Sequence, residues 1–170
     1  MEDLLKGVKY VVFDFDDTLC IHKSHSSKDW DVFLSTYSDE PFKRCVKSTL
    51  MQDFMDLCYK RNIPMGLISA VELPVRSVLK QDWVEKDYSY KLENFCVCKA
   101  EDKQTMLSYV IGRNNICSRE LLLVDDMYST LESCDNNGFS AVSPIYVAEY
   151  VEFLRRYTNE VQESVSAVAV

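Results

Sequence analysis

The chain has no run approaching the roughly 18 consecutive apolar residues of a membrane span, and its opening, Met1-Glu2-Asp3-Leu4-Leu5-Lys6, lacks the long apolar centre of a signal peptide. It also lacks a surplus of positive charge. Against 27 Asp and Glu stand 19 Lys and Arg, giving a net charge of −8, which argues against a general nucleic-acid or anionic-membrane surface while leaving room for a local basic pocket. No internal repeat or linker is visible. The seven cysteines are an odd count without a paired framework; several sit inside apolar runs and read as small core hydrophobes. Cys96-Val97-Cys98 has neither the second pair nor the nearby His that a zinc site requires, and alternation along a strand accounts for it. These absences lead to the expectation of a soluble, intracellular, cytoplasmic protein in a reducing compartment.

At 170 residues and 47% apolar content, the chain fits one domain with a single sizeable core. That domain is expected over 1–157. Residues 158–170 show little periodicity and are expected to fray.

The stretch that organises the chain is Val11-Val12-Phe13-Asp14-Phe15-Asp16-Asp17-Thr18-Leu19. An apolar run from Val8, broken only by Lys9, stops at Asp14, and two more carboxylates and a hydroxyl follow. Burying a carboxylate costs several kcal/mol unless it is paired, hydrogen-bonded or on a metal, so three together call for a cation. Mg2+, a hard ion that takes carboxylate and carbonyl oxygens, answers that need. While the chain stays extended, Asp14 and Asp16 leave one face and Phe15 points into the core. Leu121-Leu122-Leu123-Val124-Asp125-Asp126 repeats the pattern. A turn or a helix cap would also use such residues.

Between these stretches, strands alternate with helices. Residues 20–40 read as a loop or small flap in which His22, Lys23 and His25 could meet a substrate, with a short helix carrying Trp30, Phe33, Leu34 and Tyr37. A helix is expected from Pro41 to Cys58, a strand over 63–69 ending in Ser69, and a helix starting near Pro74. Residues 83–91 read as irregular. A strand over Phe95–Cys98 follows, then a helix with Asp102 as N-cap and Gly112 as C-cap. The pattern after Asp126 predicts a helix over Tyr128–Asn136 ended by Asn137 and Gly138, a strand over 139–142, and a last helix near 148–157. This alternation predicts an α/β fold, a doubly wound parallel sheet of about five strands with helices on both faces.

Asp14-Phe15-Asp16-Asp17-Thr18 resembles the first motif, Asp-x-Asp-x-Thr, of the haloacid dehalogenase-like superfamily, in its phosphatase branch with a minimal cap. The resemblance covers about residues 8–145. It implies that Asp14 attacks phosphorus and that Asp16 serves as general acid and base, with crowding by the other carboxylates raising its pKa. It implies phosphate contacts from Thr18, from Ser69 as the second motif, and from a lysine as the third, Lys103 or Lys99. Lys103 is favoured because a Met-Leu step follows it. Asp125 and Asp126 resemble the fourth motif. Mg2+ would then rest on Asp14, Asp126 and the Asp16 backbone carbonyl, with Asp125 acting through water.

The activity so implied is Mg2+-dependent phosphomonoester hydrolysis through an aspartyl phosphate, on a small or macromolecular phosphorylated substrate. A small cap in the first-to-second strand segment would leave the site open, or closed by a homo-oligomer partner. Alternatives are a non-catalytic module binding a phosphorylated ligand or a protein, and a phosphotransferase or mutase using the same intermediate. A signalling receiver domain would need an Asp after the third strand, where Cys96-Val97-Cys98-Lys99 stands. Dehalogenation is disfavoured by Asp16.

Overall fold

Two strands that end in carboxylates lie side by side at the middle of a parallel sheet. A computed structural model describes residues 2–23, 40–71 and 74–168, with side chains described as far as Tyr157. The elements in order are β1 (Tyr10–Asp14), β2 (Cys20–His22), β3 (Cys45–Lys47), α1 (Thr49–Lys60), β4 (Met65–Ala70), α2 (Pro74–Tyr88), β5 (Glu93–Val97), α3 (Lys103–Asn114), β6 (Leu121–Val124), α4 (Tyr128–Asn136), β7 (Ser140–Val142) and α5 (Pro144–Val168). The main sheet runs β5-β4-β1-β6-β7, every pair parallel. β2 and β3 form a separate antiparallel hairpin.

Helices cover both faces, as the alternation predicts. On one side Val11 and Phe13 of β1 pack with Phe54 and Met55 of α1, Val84 and Tyr88 of α2, and Val147 and Tyr150 of α5. On the other, Tyr10 and Val12 pack with Leu107 and Val110 of α3 and Cys134 of α4. β1 and β6 are buried along their whole lengths, which is why both read as unbroken apolar runs. The region of the expected cap helix, with His25, Trp30, Phe33, Leu34 and Tyr37, falls outside the described residues.

Several expectations about elements need correction, among them the fraying expected of residues 158–170. The helix expected from Pro41 is instead a 3-10 turn (Glu40–Arg44), then β3, and only then α1. Ser48 sets that start, its hydroxyl accepting from the Met51 amide at 3.3 Å, an N-cap that the periodicity of the apolar residues disguised. α2 extends to Tyr88, into the segment read as irregular, because Tyr88 is drawn inward: its hydroxyl donates to the Leu19 carbonyl at 2.7 Å and accepts from the Ser48 amide at 2.9 Å. Asp102 makes no capping bond and ends a 3-10 turn. Gly112 lies inside α3, which closes at Asn115 in the left-handed region (φ 52°), a conformation that Asn tolerates. α4 has the bounds its sequence predicts. α5 begins four residues ahead of Ala148, and its backbone is helical as far as Val168.

β4 passes close to β5 at Gly66. A Cβ there would stand 2.6 Å from Phe95 Cε2 and 3.2 Å from Tyr10 Cε1, so even alanine displaces a packed ring. We expect Gly66→Ala to cost about 1–3 kcal/mol and lower the melting temperature by roughly 3–10 °C. Thermal unfolding followed by circular dichroism measures this; an unchanged midpoint would show that the ring yields freely.

Candidate active site

The site forms where β1, β4 and β6 end. Asp14 is the last residue of β1 and Asp125 follows the last of β6, while the β1–β6 ladder pairs Phe13 with Val124. The two carboxylates therefore stand level with each other. Lys103, the first residue of α3, reaches between them: its Nζ donates to Asp14 Oδ1 and to Asp125 Oδ2, each at 2.6 Å. All three are buried, with the Asp125 side chain wholly so. Asp125 Oδ1 accepts from the Met127 amide at 2.9 Å. Asp126 is exposed, yet one oxygen each of Asp14, Asp125 and Asp126 lie within 4.8 Å of one another.

Beyond Asp14 the chain turns instead of continuing extended. Leu19 and Cys20 amides both donate to the Phe15 carbonyl, and Asp17 takes a left-handed φ of 52°. Phe15 is buried against Phe42 and Trp83, as expected of a core residue. The turn carries Asp16 away from Asp14 into a second network. Lys80 Nζ, from α2, donates to Asp16 Oδ2 at 2.5 Å and to Ser69 Oγ at 2.6 Å. His22 Nε2 stands 3.2 Å from Asp16 Oδ1.

Lys80 is the group that reading the sequence missed. It lies one helical turn after the buried Arg76 and one before Val84, on the inward face of α2. Cations on that face erase the apolar periodicity that would have marked it. A lysine four residues from both an arginine and a buried valine is the trace it leaves. His22 was expected at most to touch substrate from a solvated loop; its side chain is 6% exposed and faces Asp16. Lys99 is exposed and no contact brings it to the carboxylates, whereas Lys103 is among them. Ser69 is in place beside Lys80. Thr18 is fully buried, and its hydroxyl has no partner among the described residues, which gives a phosphate no route to it in this arrangement.

The electrostatics divide accordingly. Burial pushes the Asp14 carboxyl up to about 7, against the pull of Lys103 and with the help of Asp125 and Asp16. Burial and the neighbouring Asp125 also raise Asp126. Burial alone would lower the Lys103 ammonium; Asp14 and Asp125 outweigh it and raise it. For Asp16, burial would raise the carboxyl, but the Lys80 charge and hydrogen bonds with His22 and Lys80 hold it below its ordinary value. The rise expected from crowding is therefore reversed, because two cations reach Asp16 before the other carboxylates do. Bonding to Asp16, then to Cys45, lifts His22 to about 10, and hydrogen bonds with Cys20 and His22 bring the Cys45 thiol down to about 6.

Three carboxyl groups converge on one ammonium in the Asp14–Asp125–Asp126 half. Its donor set, oxygen only and convergent, fits a hard divalent cation such as Mg2+. The Ser69–Lys80 half offers a hydroxyl and an ammonium, a set suited to an anion. Beside Lys103 a cleft of about 270 Å3 opens, lined by Ala100, Gln104, Met127 and Ser133 among others.

The parallel five-stranded sheet with helices on both faces has the fold of solved haloacid dehalogenase-like proteins. The chain superposes on a cobalt-bound deoxy-D-mannose-octulosonate 8-phosphate phosphatase from Haemophilus influenzae with TM-score 0.52 at 15% identity, covering 85% of this chain and 75% of that one. A haloacid dehalogenase family enzyme from Bacteroides thetaiotaomicron, in complex with magnesium and inorganic phosphate, gives 0.55 at 12%, covering 80% and 93%. A hypothetical protein from Xanthomonas campestris gives 0.52 at 15%, covering 82% of this chain and 65% of that one. No family model and no curated protein matches the sequence. Among the described residues no helix is long and apolar enough to cross a membrane.

Two outcomes follow from the charges. Millimolar Mg2+ should raise the melting temperature by binding linkage, and Asp126→Asn should remove the shift; a shift that survives that substitution places the ion elsewhere. His22 is raised on folding, so its contribution is full below pH 6.5 and fades as the pH climbs to about 10. Urea midpoints of the parent and His22→Gln, taken across that range, should therefore converge as pH rises.

Proposed function

We propose that the protein is a Mg2+-dependent phosphomonoester hydrolase. The observation that carries this reading is the partition of charge across the end of β1: a surplus of carboxylate around Asp14 and an ammonium with a hydroxyl around Asp16. A phosphate needs a cation on one side and hydrogen-bond donors on the other.

Asp14, Asp126 and the Asp16 backbone carbonyl would hold the ion, with Asp125 supporting it. When bound, the ion neutralises phosphate oxygens and draws them to the site. Lys103 engages Asp14 Oδ1, fixing the carboxylate so that Oδ2 attacks phosphorus in line. As the Asp14–phosphorus bond forms, the bond to the ester oxygen breaks and Asp16 gives that oxygen a proton. Water then attacks the phosphorus, Asp16 takes its proton, and the bond to Asp14 breaks to release inorganic phosphate. Ser69 and Lys80 hold the remaining phosphate oxygens. A phosphate dianion bound there competes with Asp16 for the Lys80 ammonium, which loosens the hold on Asp16 and readies it to carry the proton.

The test is phosphate release from a panel of phosphomonoesters, with Mg2+ or with chelator. Asp14→Asn should abolish activity. Asp16→Asn should cost about 10²–10⁴-fold on alkyl esters and much less on p-nitrophenyl phosphate, whose leaving group needs no proton. Equal losses on both esters would remove Asp16 from the acid role, and activity retained by Asp14→Asn would end the covalent reading.

A further inference from the structure

Behind Asp16, at the base of the β2–β3 hairpin, three soft donors meet. Cys20 and His22 belong to β2 and Cys45 to β3, and antiparallel pairing sets His22 opposite Cys45. One donor atom from each lies within 4.8 Å of the others. Cys20 Sγ is 3.9 Å from His22 Nε2, while Cys45 Sγ is 3.2 Å from Nδ1 and 4.0 Å from Nε2, so the imidazole stands between the two sulfurs. Tetrahedral zinc, with bonds of about 2.3 Å to sulfur and about 2.0–2.1 Å to nitrogen, sets a sulfur-to-nitrogen edge of about 3.6 Å. A turn of the imidazole that brings one ring nitrogen to face both sulfurs, with a short inward movement of the thiols, converts this arrangement to that geometry.

We propose that Cys20, His22 and Cys45 form a zinc site, completed by a solvent ligand and separate from the carboxylate site for Mg2+. Two thiolates and an imidazole are a borderline-soft set that favours Zn2+, as the oxygen-only set favours Mg2+. Cys20 is wholly buried and the His22 side chain nearly so, which preorganises two of the ligands; Cys45 is half-buried and gives the ion a way in. Binding releases the thiol protons to solvent.

The site also touches the chemistry. Zinc on Nε2 would take that nitrogen from Asp16 Oδ1, which stands 3.2 Å from it, and so free Asp16 from one of its partners, whereas zinc on Nδ1, the nitrogen nearer Cys45, would leave that bond in place. This consequence for catalysis rests on the phosphatase reading; zinc binding itself does not.

The experiment is a cobalt titration of the full, reduced, metal-free chain with Mg2+ present at saturation, followed by back-titration with zinc. We expect thiolate-to-cobalt charge-transfer absorption in the near ultraviolet that saturates at one equivalent and is displaced by one equivalent of zinc. Cys45→Ser, at a half-buried position, and His22→Gln should each lower zinc affinity at least about a hundredfold, beyond the loss typical of outer-shell contacts, while Asp126→Asn keeps the band. Circular dichroism establishes that each variant is folded. Absence of the band in the reduced parent chain overturns the site, as does a band unchanged in Cys45→Ser or lost in Asp126→Asn.

Discussion

Everything at the end of the sheet depends on one ammonium. Lys103 opens α3, where the helix dipole disfavours a cation, and it is buried, which disfavours any charge. Two carboxylates at 2.6 Å make the position tenable. In turn they depend on it: a buried ion pair broken on one side typically costs about 3–5 kcal/mol. The first residue of α3, the last of β1 and the one after β6 are thus fixed relative to each other by electrostatics as firmly as by the packing beneath.

From that fixed point the site separates into two halves. Had the chain stayed extended past Asp14, both aspartates would face the same ion and Asp16 would be one more crowded acid. The turn through Asp17 hands Asp16 to Lys80 and His22 instead. Lys80 also spans to Ser69, so β1, β4 and α2 meet at a single nitrogen. One half carries a donor set suited to a cation and the other a set suited to an anion, on neighbouring strand ends. That juxtaposition, more than any single residue, is what makes phosphoryl chemistry the reading the geometry supports.

Much of this was legible in the residues. Unbroken apolar runs ending in Asp14 and in Asp125-Asp126 marked the central strands, because strands buried on both faces carry no polar alternation. Tyr128–Asn136 was readable because its apolar positions and its Asn-Gly terminator agree. Lys103 was favoured over Lys99 by its neighbours, and it is Lys103 that the fold brings to Asp14. What stayed hidden has a common cause. The inward face of α2 carries Arg76 and Lys80, so the charges that serve the site blurred the period of the helix that delivers them. β3 was hidden because its partner lies more than twenty residues earlier in the chain, and pairing at that distance leaves no local trace. The state of Asp16 was misjudged for the same reason: its two cations come from elements whose courses were not readable.

The parallel ladders around β1 carry a further implication. β1 pairs Asp14 with Ile68, and Phe13 with Val124, so Asp14 stands level with Asp125 while β4 runs two residues further, to Ala70. Side chains along a strand alternate between faces, and a slip of one position turns every one of them over. A chain that zipped β6 one residue out of register would still bury apolar side chains, since Leu121, Leu122, Leu123 and Val124 offer little to tell one register from the next. It would, however, turn Asp125 away from Lys103 and leave that ammonium underpaired in a dry interior. The apolar run alone is nearly silent about alignment; the charged tip reads it. The charged residues of the candidate site thereby also act as the proofreader of its sheet.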